Sequence, residues 1–239
     1  MALEFKKHDL EWTRELSSRF WNCQSRSDTD YFSQQVGLGI VRAASRAGVP
    51  LRGKVLDYGC GRGYFLSILA NERITCEGAD FSPDSVNETN ARLNGNPYFG
   101  GAAQILGIPT HLASGQYDVI FCIETIEHLL DDELAPAFRE LHRLLKSGGY
   151  VVVTTPNEER LNKSKVVCPE CGAMFHRMQH VRAWTVPSIT EFHRSIGFEA
   201  VSCFATYLDR SRFWSFVVTL GKRLRGDSLP HLVYVGKKQ

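Results

Sequence analysis

The chain has 239 residues, of which 43% are apolar and 23% charged. This suits one soluble globular domain with decorations better than two independent domains, with a core large enough to need no staples. A formal net charge of +2 lacks the basic surplus of a nucleic-acid binder, and the local clusters Lys163 and Lys165, Lys222, Arg223 and Arg225, and Lys237 and Lys238 read as solvated surface. Seven cysteines, odd in number and scattered, point to a reducing compartment. The start, Met1 to Asp9, has no apolar core of signal-peptide length, and the apolar run from Phe213 to Leu220 is far too short to span a bilayer. A cytoplasmic protein with no membrane partner is therefore expected.

Residues 1 to about 50 read as helical. Trp12, Leu16, Phe20 and Trp21 recur at helical spacing, as a packing face or as a lid over a substrate pocket. Strand–helix alternation starts at Lys54, with a buried strand at 55–57, a glycine turn, a helix at 65–70 and a strand at 74–79. Ser82 is placed to cap a helix with Pro83 at its first position, running to about Leu93. A stretch containing Gly and Pro then leads to a short element at 102–106 and a strong strand at 117–123. After Asp131 and Asp132, a helix carries Leu134, Phe138, Leu141 and Leu145 on one face, and Ser147, Gly148 and Gly149 are expected to end it. A strand at 150–154 precedes an insertion at about 156–185. A helix at 187–196 closed by Gly197, a strand at 198–207, a basic-apolar segment and a short strand at 232–235 complete the chain. The alternation implies a doubly wound α/β domain over residues 51–239 behind a helical cap at 1–50, with a parallel sheet and an antiparallel edge strand near the C-terminus.

Asp57, Gly59, Gly61 and Gly63 lie between the first strand of this alternation and its helix. Glycine there lets the backbone approach a ligand closely, and such turns sit where doubly wound sheets bind ligands. The dinucleotide spacing fails, because its third glycine would fall on Tyr64. A carboxylate at Asp57 disfavours a pyrophosphate and favours a cation, so the ligand implied is a nucleoside with a positively charged tail. Asp80 closes the second strand, where a carboxylate can accept both ribose hydroxyls, and Ser82 is left to cap the next helix.

With these residues, from about 53 to 205, the chain resembles the class I S-adenosylmethionine-dependent methyltransferases. The resemblance implies their Rossmann-like, mostly parallel seven-stranded sheet and S-adenosyl-L-methionine as cofactor. Asp57, Gly59, Gly61 and Gly63 would hold the methionine moiety, Asp80 the ribose, and Phe81 would flank the adenine. Gly101, Ala102 and Ala103 stand where many relatives carry an aspartate, so backbone contacts would serve the adenine there. Residues 116–122 match the family's fourth strand, with Ile123 following on the cofactor side, and Lys146, Ser147, Gly148 and Gly149 match its Lys-Pro-Gly-Gly turn, with Ser for Pro.

Glu124 and Glu127 are three apart, on one side of a helical turn, and His128 adds a nitrogen. Two carboxylates and an imidazole can hold a divalent ion with open positions; without a metal, His128 is a base or a pocket wall. Methyl transfer is an in-line displacement, and a hydroxyl acceptor needs a base or a metal that lowers its pKa. The cluster resembles two O-methyltransferase families, one acting on catechols in ubiquinone biosynthesis and one on the 3′-terminal ribose of small RNAs. Both have a further histidine, here His180. The resemblance implies that Glu124, Glu127, His128 and His180 are catalytic and hold Mg, Mn or Zn, and that a small-molecule vicinal diol or catechol-like hydroxyl is methylated. RNA ribose 2′-O-methylation and a non-catalytic S-adenosylmethionine-binding or zinc-dependent interaction module are the alternatives. Cys168 and Cys171 form half of a zinc knuckle, and His176 is the expected third ligand of a structural zinc.

Overall fold

The computed structural model describes residues 5–24 and 31–239; residues 1–4 and 25–30 of the expected cap lie outside the described residues. A two-residue strand β1 (His8–Asp9) precedes the helices α1 (Arg14–Gln24) and α2 (Phe32–Arg46). Val36, Ile40, Ala43 and Ala44 recur on one face of α2 and are buried, which holds this helix on the domain.

The alternating part then runs β2 (Val55–Tyr58), α3 (Tyr64–Asn71), β3 (Cys76–Asp80), α4 (Pro83–Arg92), β4 (Phe99–Gln104), β5 (Tyr117–Ile123), α5 (Asp131–Leu144) and β6 (Leu145–Pro156). After the short strands β7 (Lys165–Val167) and β8 (Ala173–His176) come α6 (Val186–Ile196), β9 (Phe198–Thr206), α7 (Arg212–Arg225) and β10 (His231–Lys238). Ser82 caps α4 by accepting the Ser85 N–H at 3.3 Å, with Pro83 at the first helical position. Gly197 ends α6 at φ 101°, a conformation that favours glycine.

The main sheet has the order β4-β3-β2-β5-β6-β10-β9, parallel except for β10. Helices cover both faces, so the central strands are continuous apolar runs rather than alternating ones. Val119, Phe121 and Val152 pack with Ile40, Phe65 and Leu69 in one core, while Ile120, Val151 and Val153 pack with Phe138, Leu141 and Ile189 in the other. The winding reverses between β2 and β5, which opens a crevice at the carboxyl edge of these strands.

Four local expectations are corrected. The antiparallel strand β10 is not an edge strand: it lies between β6 and β9 and pairs with both. Residues 147–149 do not stop α5. The helix ends at Leu144, Leu145 is already extended, and the glycines lie inside β6. A Cβ on Gly149 would stand 3.1 Å from the Asp118 carbonyl oxygen, so glycine is needed where β6 approaches β5. The strand β4 starts at Phe99 and includes Gly100 and Gly101, because pairing with β3 overrides their poor strand propensity. The basic-apolar segment is the helix α7.

The insertion is a β7–β8 hairpin that β1 joins in parallel, a second sheet of order β1-β8-β7. Lys165 pairs with Asp9 at 2.6 Å, tying the insertion to the N-terminal segment.

Candidate active site

The carboxyl ends of β2 and β3 bring the glycine turn and two acids together. Gly59 has φ 82°, and a Cβ there would meet Thr125 Oγ1 at 2.6 Å. Gly63, at φ 75°, starts α3 with Thr89 2.7 Å from where its Cβ would be. Both the conformation and the space therefore require glycine. Asp80 accepts the Gly61 N–H at 2.8 Å and the Ser82 N–H at 2.9 Å, which anchors the turn. Burial raises its pKa above the usual carboxylate range.

Asp57 is 2% exposed, and its Oδ1 has no hydrogen-bond partner. Burial, then the charge of Asp80, push its carboxyl up to about 8. An orphaned acidic oxygen beside a glycine turn is what the amino group of a cationic ligand would satisfy. Phe81 is exposed, and Ile123, at the end of β5, is buried. At Ala102 the Asn90 side chain takes the backbone N–H at 2.8 Å and the carbonyl at 3.0 Å.

Beyond β5 the chain forms a tight turn, not the expected helical one. Glu124 has φ 45°, and the His128 N–H reaches the Thr125 carbonyl at 3.1 Å. Glu124 accepts Thr154 Oγ1–H at 2.9 Å, and Glu127 Oε2 accepts Thr155 Oγ1–H at 3.0 Å, so β6 holds both acids. Glu127 is 1% exposed, and its Oε1 has no partner.

Ligand atoms of Glu127, His128 and His180 lie within 4.8 Å of one another. Glu124, the fourth expected member, joins neither of the groups of three or more found among the described residues. Nδ1 of His128 faces the Gln179 carbonyl at 3.5 Å, and Nδ1 of His180 meets Glu159 Oε2 at 2.5 Å. With Nδ1–H donating in each ring, the lone pair is on Nε2. Burial pushes Glu124 up to about 8 and raises Glu127 well above the usual carboxylate range. Burial, then the neighbouring His180, push His128 down to about 3. Buried acids beside imidazole nitrogens are a donor set suited to a divalent cation, which would restore the carboxylate charge that burial disfavours.

His176 is not placed for the expected zinc set. Its Nδ1 accepts the Met178 N–H at 3.3 Å and the His180 N–H at 3.2 Å, which leaves the ring proton on Nε2. That nitrogen stands 3.2 Å from Glu159 Oε1, out of line for a hydrogen bond. Cys168 and Cys171 flank the tip of the hairpin, whereas His176 pairs across it with Lys165 at the far end. Among the described residues, neither cysteine belongs to a group of three or more ligating side chains.

Two contributors escape sequence reasoning, and a third, Trp21, is expected only as part of a packing face or lid. Glu159 joins His176 and His180 in a second group. Gln179, fully buried at φ 58°, donates to the His128 carbonyl at 3.0 Å and accepts Trp21 Nε1–H at 2.7 Å. Trp21 packs edge-on against the His128 ring at a centroid distance of 4.6 Å, so α1 covers the cluster. Only the position of Gln179 directly before His180 hints at either of the first two. A cleft of about 600 Å³ beside the cluster is lined by Trp12, Asp131, Lys165, His176, His180 and Arg182, among others.

Residues 33–203 match the family model described as "Methyltransferase domain". The chain is similar to the ubiquinone biosynthesis O-methyltransferase of Escherichia fergusonii, 31% identical over 144 residues, and to that of Escherichia coli O139:H28, 32% identical over 150 residues. Each match covers 59% of this chain and 58% of the relative, so the chain spans under two thirds of their length. Among solved structures, a chain of the complex between the Haloferax volcanii Trm112 methyltransferase activator and the putative methyltransferase matches with TM-score 0.63 at 17% identity, covering 95% of this chain and 99% of that one. The Burkholderia thailandensis 1,6-didemethyltoxoflavin-N1-methyltransferase, with bound 1,6-didemethyltoxoflavin and S-adenosylhomocysteine, matches with TM-score 0.63 at 16% identity, covering 99% and 95%. These two are likenesses of fold.

Proposed function

This chain belongs to the class I S-adenosylmethionine-dependent methyltransferases, and on that premise we propose that it methylates a hydroxyl of a small molecule bearing adjacent oxygens, a catechol or vicinal diol, with help from a divalent ion. One observation carries the reading. Glu127, His128 and His180 converge, Glu127 Oε1 lacks a partner, and both rings have Nδ1 engaged so that Nε2 is left to ligate. The O-methyltransferase chemistry of the two enterobacterial relatives supports oxygen as the acceptor atom.

The methyl group comes from the sulfonium of S-adenosyl-L-methionine. Asp57 binds the amino group of its methionine part, the turn from Gly59 to Gly63 lies along it, and Asp80 takes the ribose. The reversal between β2 and β5 sets this pocket beside the Glu124–His128 turn. An acceptor held at His180 would have to meet the donor methyl in line, as displacement requires. Glu127, His128 and His180 would hold a divalent ion, whose chemistry here is to acidify a hydroxyl. Glu124, half-buried and held by Thr154 with its carboxyl pushed up to about 8, would take the hydroxyl proton in its ionised form. Trp21 and Gln179, hydrogen-bonded to each other and both in contact with His128, keep water away from it.

The test supplies methyl-labelled S-adenosyl-L-methionine with a catechol, an aliphatic vicinal diol and a short RNA ending in a free cis-diol, with and without a chelator. Transfer to the catechol or diol that stops on chelation and returns with Mg or Mn is expected. Transfer indifferent to chelation removes the ion from the reading, and transfer to the RNA alone replaces the acceptor class.

A further inference from the structure

We propose that α7 is a docking face for an anionic lipid surface. This rests on observations independent of the acceptor reading. The helix is amphipathic but sits inside out. Phe213, Phe216, Val217, Leu220 and Leu224 recur at the helical period and are all exposed, Phe213 by 67%, Phe216 by 64% and Leu224 by 79%. The opposite side packs on the domain through polar groups. Ser215 Oγ–H donates to the Tyr207 carbonyl at 2.5 Å, Thr219 Oγ1 accepts the Tyr207 N–H at 3.2 Å, and Lys222 reaches the Ser228 carbonyl at 3.4 Å. These bonds fix the rotation of the helix, so the apolar stripe cannot turn inward without breaking them.

Charge selects the occupant. Arg212, Lys222, Arg223 and Arg225 lie in α7, and no acidic residue does. Among the described residues, its only ion pair is Arg225 with Asp227 at 3.0 Å. A second copy of the same face would oppose cation to cation, whereas anionic headgroups complement an apolar stripe flanked by basic side chains. The helix has 14 residues, so at about 1.5 Å per residue it falls well short of a bilayer core and would lie in the interface plane. No helix among the described residues is long and apolar enough to cross a membrane, which is consistent with surface binding. The segment entering α7 leaves β9 at the carboxyl edge of the sheet, the edge that carries Asp57, Asp80 and the Glu124 turn. Docking through α7 would bring that edge toward the lipid.

The experiment mixes the full chain with vesicles of phosphatidylcholine alone or with about a third phosphatidylglycerol. Co-sedimentation with the anionic vesicles, weakened by salt, is expected, together with a blue shift of tryptophan emission that Trp214→Phe abolishes. The triple variant Phe213→Ser, Phe216→Ser, Leu224→Ser should lower partitioning about tenfold or more with its melting temperature unchanged, because these side chains are exposed. Arg212→Gln with Arg223→Gln should weaken binding and its salt dependence together. Failure to sediment with anionic vesicles, or binding indifferent to the triple variant, overturns the proposal. So does a concentration-dependent dimer that the triple variant dissociates without any vesicle binding, which gives the face to a second copy.

Discussion

Glu159 meets His180 at 2.5 Å, carboxylate oxygen to Nδ1, on the side of the ring away from the nitrogen left to ligate. A carboxylate behind a ligating histidine fixes its tautomer and raises its basicity. Glu159 is thus a positioning residue. Glu159→Gln should weaken metal binding by roughly 10- to 100-fold and leave donor affinity unchanged. The readout that separates positioning from mere packing is the ring nitrogen spectrum of the metal-free protein, in which the fixed Nδ1–H form of His180 should give way to a mixture. An unaltered spectrum with unaltered metal affinity would count against this role.

Glu127 offers the orphaned oxygen of the cluster. Glu127→Ala should leave the calorimetric affinity for S-adenosyl-L-methionine nearly intact while methyl transfer falls by roughly 10²-fold or more. Equal losses in both would place Glu127 in the donor pocket instead.

Asp57 has a carboxyl pushed up to about 8. A raised carboxyl favours the folded state at pH below its unfolded value, near 4, and that contribution is lost as pH climbs from there to about 8. The donor-free protein should therefore lose stability over that range, and Asp57→Asn should flatten the loss. The same variant should weaken donor binding by about 1.5–3 kcal/mol, the scale of a charge-assisted hydrogen bond. Thermal melts from pH 5 to 9 and titration calorimetry measure the two effects.

His193 acts in the opposite sense. It is fully buried, donates Nδ1–H to the Ile189 carbonyl at 2.7 Å, and stacks on Tyr234 at 4.0 Å, and burial pushes it down to about 3. The unfolded chain binds a proton near pH 6.5 that the folded chain refuses, so its contribution is complete above that value and lost as pH falls toward 3. The slope reaches at most about 1.4 kcal/mol per pH unit for one such group. His193→Phe should give a shallower acid limb in melts between pH 7 and 4, whatever its stability at neutral pH. An unchanged limb would assign acid sensitivity to other groups.

The alternation of apolar runs with helical faces and the Asp57–Gly63 turn were legible from local pattern alone, since strand periodicity, helix capping and backbone freedom at glycine are properties of neighbouring residues. For that reason the doubly wound class and a crevice at the carboxyl ends of its strands followed from residue order, but the strand order did not: antiparallel β10, expected at an edge, lies between β6 and β9. Elements that owe their form to distant pairing were not legible. The two-residue strand β1 exists only because β8 lies beside it, and Gly100 and Gly101 are strand only because β3 holds them. The partners within the site belong to the same class. His180 was assigned to the cluster through resemblance, but Glu159 behind it, and Gln179 and Trp21 against His128, are brought in by folding from 21, 51 and 107 residues away, counting from His180, His128 and His128 respectively. His176 and α7 make the point through their surroundings. A histidine after two cysteines and an amphipathic helix each have an ordinary local reading. The backbone N–H groups on Nδ1 leave the first with its ring proton on Nε2, beside Glu159 and away from the two cysteines, and the hydrogen bonds on the polar side of the second turn its apolar stripe outward. Such choices depend on which atoms meet across the fold, and residue order alone does not encode those meetings in any short pattern.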